Sequence, residues 1–230
     1  MEETTESAAE SAATNDPADS PDSSQTSDSL GSRGDGSATA VLCPSPGTAG
    51  TIIFVARNNL HLTKRAVASA LAQDIPCDVI VVNNALTDGT ADWLRGQKIN
   101  SYSPIEQLSL AACWNHALKL AWQVLGRKHA LVCNTDIELR PDAYRLLLAN
   151  SGPFVTCVSV DDAARLDYPN PPTTSRPHPD FSCFLIRKEV TERVGWFDEA
   201  YYPAYCEDCD YHVRMHQAGI IAVCLDLPFL

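Results

Sequence analysis

The chain has 230 residues with 29 acidic and 17 basic side chains, a formal net charge of −12, and 45% hydrophobic residues. That balance argues against a nucleic-acid partner held by simple charge. No apolar run approaches the roughly 18 residues of a membrane span, so no transmembrane segment is expected, and the acidic N-terminus lacks the apolar core of a signal peptide.

Residues 1–48 are rich in Ser, Ala, Thr, Asp and Glu and hold nine of the acidic residues against one basic residue, Arg33. Low hydrophobicity with high net charge cannot offset the entropy of ordering, so this acidic tail is expected to be disordered. Residues 49–230 suffice for a single domain with its own core. Of the nine cysteines, Cys133, Cys157 and Cys224 sit inside apolar runs, where a free thiol behaves as a small hydrophobe. With no export signal, a reducing, cytoplasmic location is expected. Cys206-x-x-Cys209 is the one tight pair. No second pair lies at zinc-finger distance, although His212 and His216 are one helical turn apart.

Thr51–Ala56 is β-branched and apolar and reads as the first buried strand. Arg57-Asn58-Asn59 is a polar break. Thr63 to Gln73 reads as a helix, with Thr63 as N-cap, Ala66, Ala70 and Leu71 as buried stripe and Pro76 as stop. Val79–Val82, four apolar residues without alternation, suits a parallel strand covered on both faces, and it ends in Asn83-Asn84. Thr87-Asp88-Gly89-Thr90 is a turn in which Thr90 or Asp88 caps a helix through Leu94. Lys98–Tyr102 reads as a third strand.

Ile105–Leu125 reads as a long helix with Leu108, Ala111, Leu118, Trp122 and Leu125 on one stripe. Asn115 occupies the missing position of that stripe, where a polar side chain must find a partner. It is either a structural hydrogen-bonding residue or an amide turned toward a ligand. Residues 129–133 form the next strand, which breaks into Asn134-Thr135-Asp136. Pro141 fits the first position of a helix to Ala149, and Phe154–Val160 reads as a strand. The proline-rich stretch 161–180 is a long loop, of a length often functional. Phe181–Ile186 is a strand and Lys188–Val194 a short helix ended by Gly195. After Trp196–Glu199 and a Tyr-rich turn with Tyr201, Tyr202 and Tyr205, Cys206 to Asp210 opens a helix to about Ala218. Gly219 is its C-cap and Ile220–Leu225 the last strand. Strands alternating with helices imply an α/β domain with a mostly parallel sheet.

In a parallel sheet the polar sets Asn58/Asn59, Asn83/Asn84 and Asn134/Asp136 lie along the carboxyl edge, where ligands of open α/β sheets sit. Neither a dinucleotide fingerprint nor a P-loop occurs, so a phosphate is expected to be held through a metal ion. Mg2+ is commonly bound by one or two carboxylates plus substrate phosphates and water. Glu207, Asp208 and Asp210 form a second acidic set, which suits either the first turn of a helix and an Asp210–Arg214 pair or acid–base chemistry.

Residues from about 51 to 225 resemble a family 2 glycosyltransferase with the GT-A fold. The matching pieces come in the family's order: Val55-Ala-Arg-Asn58, Leu71-Ala-Gln73, Val81 to Thr90 (VVNNALTDGT), Asn134-Thr-Asp136 as a D-x-D-type motif, Gly195-Trp-Phe-Asp-Glu199, and Glu207-Asp208-Cys-Asp210. The resemblance implies an α/β, Rossmann-like sheet flanked by helices, and transfer of a sugar from a nucleotide-sugar donor to a glycan, lipid-linked or protein hydroxyl. It implies that Asn58, Asn83, Asn84, Asn115, Asn134 and Thr135 contact the donor. Asp136 would hold Mg2+ or Mn2+, Asp208 would be the general base of an inverting displacement, and Glu207 would orient the acceptor or the base.

The chain departs from the family at several places. Asn83 and Asn134 stand where aspartates are usual, and Arg57 stands where an aromatic is common. The histidine that the family often adds to the metal site beyond the last strand has no match up to Leu230. Two other readings follow from these residues: a GT-A-like module that binds sugar or nucleotide without turnover, and a nucleotidyltransferase. The latter lacks its Gly-rich, basic loop after the first strand.

Overall fold

The computed structural model describes residues 38–43, 47–48, 50–84, 87–97, 99–157, 173–174 and 181–225. Residues 1–37 and 44–46 of the expected tail, residues 158–160 of the expected strand, and all of the 161–180 loop but Thr173 and Thr174 lie outside them. The strands are β1 (Thr39–Val41), β2 (Gly50–Ala56), β3 (Cys77–Asn83), β4 (Asn100–Ser103), β5 (His129–Asn134), β6 (Phe154–Cys157), β7 (Thr173–Thr174), β8 (Cys183–Arg187) and β9 (Val223–Leu225). The helices are α1 (Leu60–Leu71), α2 (Thr90–Arg95), α3 (Leu110–Lys119), α4 (Ala143–Ala149), α5 (Lys188–Val194) and α6 (Glu207–Gln217).

All these strands join one sheet in the order β1-β4-β3-β2-β5-β8-β6-β9-β7. The central run β4-β3-β2-β5 is parallel. Beyond it β8 lies antiparallel between β5 and β6. Thr39–Val41, inside the stretch read as tail, pair antiparallel with β4.

The central strands lack hydrophobic alternation because both faces are covered. Ile52, Phe54, Val79, Val81, Leu131 and Cys133 pack on one face with Ala66, Val67 and Ala70 of α1 and Tyr144 and Leu147 of α4. Ile53, Ile80, Val82, Ala130 and Val132 pack on the other with α3 and with Tyr211 and Met215 of α6. Each such large apolar side chain contributes about 1.5–3 kcal/mol on full burial. One close approach fixes β2 against α4. The fully buried Tyr144 hydroxyl accepts from Thr51 N–H at 3.2 Å and lies 2.8 Å from His129 Nδ1. A Cβ on Gly50 would overlap that hydroxyl.

Several boundaries differ from the sequence expectation. Helix α1 begins at Leu60, three residues early, and Thr63 is not its cap. Thr63 is buried in the first turn with its hydroxyl donating to Asn59 O at 3.2 Å. Leu71 is 58% exposed, and Val67 takes its place in the stripe. The expected helix from Ile105 starts instead at Leu110, capped by Ser109, whose Oγ accepts from Ala112 N–H at 3.2 Å. It passes into a π-helical turn over Leu120–Val124. Leu108 is excluded from the helix because the Asn84 amide holds both its N–H and its C=O. Pro141 precedes α4 rather than opening it, and Asp142 is the N-cap. Strands β8 and β9 start two and three residues later than expected. Among the described residues, no helix is long and apolar enough to cross a membrane.

Candidate active site

Parallel register aligns Ala56 with Asn83 and Val55 with Asn134. The polar endings of β2, β3 and β5 therefore share one edge. Asn58 and Asn59 both adopt left-handed backbone, with φ of 58° and 68°, a conformation that Asn tolerates better than other non-glycine residues. This turn starts α1 and is tied to the next loop. Asn58 Oδ1 accepts from Thr87 N–H at 3.1 Å. Asp88 Oδ2 accepts from Leu60 N–H at 2.7 Å, while its Oδ1 accepts from Thr90 N–H at 3.1 Å and from the Thr90 hydroxyl at 2.7 Å. Burial acts to raise the Asp88 carboxyl, but these hydrogen bonds outweigh it and hold the group below its ordinary 3.8.

The asparagines divide by what their amides already do. Asn84 is buried, donates to Leu108 O at 2.9 Å and accepts from Leu108 N–H at 2.8 Å. Asn115, 1% exposed, donates to Phe197 O at 2.9 Å and to Glu199 Oε1 at 2.8 Å, and accepts from Phe197 N–H at 3.0 Å. Both were expected among the donor contacts; both instead spend their amides on the fold. Asn83 donates to Ser103 Oγ at 3.0 Å, and its buried Oδ1 has no hydrogen-bond partner among the described residues.

Asn134 is half-buried at the junction of two clefts. One, of about 200 Å³, is lined by Arg57, Asn59, Asn134, Thr135 and the exposed Asp136. The other, of about 390 Å³, is lined by Asn134, Ser182, Glu207 and Asp208, with Trp114, Phe181 and Tyr205 as its aromatic wall. Asn134 N–H donates to Ser182 O at 2.9 Å, which fixes β5 against the residue before β8.

Helix α6 delivers Glu207 and Asp208 through a turn in which Tyr205 and Cys206 have φ of 82° and 71°. Such non-glycine left-handed residues cost about 1–2 kcal/mol each. The segment is anchored to the start of α3, where Leu110 N–H donates to Pro203 O at 2.9 Å and Ser109 Oγ donates to Glu199 O at 3.2 Å. Arg214 secures the helix from below: it pairs with Asp210 at 2.6 Å, as the spacing predicts, and donates to Val194 O and Trp196 O. Asp208 is half-buried, with Oδ1 accepting from Cys209 N–H at 2.8 Å. Glu207 is 4% exposed, and its Oε2 has no hydrogen-bond partner among the described residues. Burial, helped by the Asp208 charge, pushes its carboxyl above the ordinary 4.5 despite backbone N–H groups that pull the other way.

Among the described residues no three His, Cys, Asp or Glu side chains gather as a metal site. Cys206 and Cys209 are exposed and free. Asp136, with the oxygens of Asn134 and Thr135 on the same cleft, offers one carboxylate and neutral oxygen donors. That set suits a hard cation whose shell is completed by phosphates and water. Sequence reasoning gave no role to Arg57, Trp114 and Ser182. Arg57 had a signal, as a cation directly after a strand ending; Trp114 and Ser182 had none.

No protein-family model and no curated protein matches the chain. Solved structures do. The mannosyltransferase PcManGT from Pyrobaculum calidifontis, in complex with GDP-Man and Mn2+, aligns with a TM-score of 0.60 at 20% identity over 78% of this chain and 55% of its own. GalNAc-T7 with UDP, GalNAc and Mn2+ gives 0.62 at 9% identity, over 78% and 42%. TarS from S. aureus gives 0.59 at 15%, over 77% and 35%. The chain thus spans about half the length of the first and less of the others. The likeness shows the fold: this is the GT-A fold of glycosyltransferases.

Proposed function

We propose that the chain is a glycosyltransferase of the family 2 type, moving a sugar from a nucleotide-sugar donor to a hydroxyl acceptor with inversion. The observation that carries this reading is the pair of clefts meeting at Asn134, one with Asp136 and the other with Glu207 and Asp208. The donor diphosphate would lie in the first cleft, between Asp136 and the Arg57 guanidinium. The unmatched Asn83 Oδ1 would accept from the nucleoside.

Mg2+ or Mn2+, held by Asp136 with oxygens of Asn134 and Thr135, would act as a Lewis acid on the leaving diphosphate. The acceptor oxygen would attack the anomeric carbon in line, the bond to the diphosphate would break with its electron pair, and Asp208 would take the hydroxyl proton. Such a displacement needs one base and no enzyme nucleophile.

A second reading, a binding module without turnover, is favoured by the single carboxylate at the metal position. One assay separates them: the protein with Mn2+ and a panel of nucleotide sugars, followed by release of nucleoside diphosphate. Steady release that disappears in Asp136→Ala and Asp208→Ala supports the transferase, and binding without release supports the module. Unchanged turnover in Asp208→Ala rules out Asp208 as the base. Pyrophosphate release from a nucleoside triphosphate and a sugar phosphate would point to a nucleotidyltransferase.

A further inference from the structure

We infer that the acceptor is a neutral saccharide, seated with one ring face on Tyr205 and with neighbouring hydroxyls on Glu207 and Asp208. This rests on the glycosyltransferase reading above and narrows its acceptor. Three independent features of the larger cleft carry it.

The first is Glu207. It lines the cleft, is 4% exposed, and keeps Oε2 without a hydrogen-bond partner among the described residues. A buried acceptor atom left unmet carries a standing desolvation cost. An arriving O–H donor removes that cost, so the cleft favours a ligand with a hydroxyl at this point. Asp208 follows directly on the helix and lines the same cleft. A saccharide presents hydroxyls on adjacent carbons, so one can donate to Glu207 while the next gives its proton to Asp208 as it attacks. A hydrocarbon chain has no donor for either carboxylate.

The second is Tyr205. It is 83% exposed, on the wall of the cleft, at a left-handed φ of 82°. Backbone that disfavours a bulky residue is here holding an aromatic ring at the cleft edge rather than in the core. The face of an aromatic ring is the negative side of its quadrupole. The C–H groups along one face of a pyranose are weakly positive and lie flat against such a surface, leaving the hydroxyls at the sugar's rim for polar partners. Below, Trp114 is 2% exposed and locked against Phe197 and Phe184 at centroid distances of 5.0 and 5.4 Å, so the floor is rigid.

The third is charge. Among the described residues, the lining of this cleft contains two carboxylates and no basic side chain. A phosphate- or carboxylate-bearing acceptor would meet like charge from Glu207 and Asp208, with no basic side chain among the described lining residues to neutralise it. Arg57, the cation that the described residues bring to this edge, lines the other cleft.

The test uses the full chain and two readouts. Saturation-transfer NMR measures binding of methyl glucoside, galactoside and mannoside, of the matching glucuronide and sugar phosphate, and of a Ser/Thr peptide. Nucleoside diphosphate release is measured with each acceptor and with water alone. At least one neutral methyl glycoside is expected to bind and to raise release above the water rate, and its anionic derivative to bind at least about tenfold more weakly. Tyr205→Ala should raise the KM for that glycoside about three- to tenfold, whereas Tyr205→Phe, which keeps the ring face, should retain wild-type KM. The inference is overturned if the anionic sugar or the peptide is preferred, or if Tyr205→Phe loses as much as Tyr205→Ala. Water-driven release that no neutral glycoside increases also overturns it, while leaving the transferase reading standing. Glycoside binding without turnover of any donor would uphold the saccharide site and reject the transferase reading.

Discussion

Asn115 offers the sharpest separation between a structural amide and a ligand-facing one. Replacing it with Ala removes three hydrogen bonds, to Phe197 O, Phe197 N–H and Glu199 Oε1. Phe197 is 2% exposed, so water cannot take over for its N–H and C=O. Each buried group left unpaired costs about 1–3 kcal/mol, and the two together with the lost side-chain bond give a loss of about 3–5 kcal/mol. That is a large share of a total stability of about 5–15 kcal/mol. At about 2–4 °C per kcal/mol for a domain of this size, the melting temperature should fall by about 6 °C or more. Urea titration followed by tryptophan fluorescence reads it directly, because Trp114 lies 5.0 Å from Phe197 between ring centroids. At a temperature where the variant remains folded, donor affinity should stay within about twofold of wild type. Asn115→Asp keeps an acceptor for the Phe197 N–H but sets a carboxylate beside Glu199, and should recover little. A variant of unchanged urea midpoint that loses donor binding would refute the clamp and return Asn115 to the site.

Three further outcomes follow from the same geometry. Asn134→Asp adds a second carboxylate beside Asp136 and should tighten Mn2+ on the order of tenfold; an unchanged Mn2+ titration midpoint would remove Asn134 from the metal position. Glu207 has a folded carboxyl raised above its ordinary 4.5, so its charged form costs stability that is absent below about that pH and grows as pH rises through the folded value. Glu207→Gln should therefore be more stable than wild type at neutral pH, with the difference closing near pH 4, and a less stable variant at pH 7 would contradict the unmet oxygen. Asp88 is held below its ordinary 3.8, so its contribution is full above that value and is lost as pH falls through the folded one. Asp88→Ala should lose about 1 kcal/mol at pH 7, the usual cost of a lost cap, and should lack that part of the acid transition in a pH series of urea midpoints.

The central strands were legible in the sequence because both-face burial writes continuous apolar runs, and the same runs placed Asn58, Asn83 and Asn134 at one edge. What escaped depends on partners far away in the chain. Helix α1 starts at Leu60 because its first N–H is capped by Asp88, 28 residues on, and because two asparagines accept left-handed backbone. The expected helix from Ile105 is cut short because Asn84, 24 residues earlier, takes both backbone groups of Leu108. No local propensity encodes either contact. Beyond β5, alternation of strand and helix implied continued parallel pairing, but β8 enters antiparallel, a choice that a five-residue apolar strand does not record.

The asparagines make the general point about finding a site. Asn83, Asn84 and Asn115 look alike in the sequence: each is an amide next to an apolar run. They differ in what remains after the fold has taken its hydrogen bonds. Asn84 and Asn115 are spent, whereas among the described residues Asn83 keeps one buried oxygen without a partner and Glu207 keeps another. Natural folds leave few such atoms, since each lowers stability. Here two of them sit at a carboxyl edge where left-handed residues 58, 59, 205 and 206 also gather. Strain and unmet hydrogen-bonding capacity concentrated on one edge lower the stability of the free protein, and a ligand that supplies donors there recovers part of that loss on binding. Among the described residues unmet atoms also occur in the frame, at Thr51, Trp122 and Arg127, so the signal lies in the coincidence of unmet valence with the carboxyl edge rather than in unmet valence alone. At that edge Asn83 and Glu207 keep hydrogen-bonding capacity for a ligand, whereas the amides of Asn84 and Asn115 are taken up by backbone and Glu199 partners.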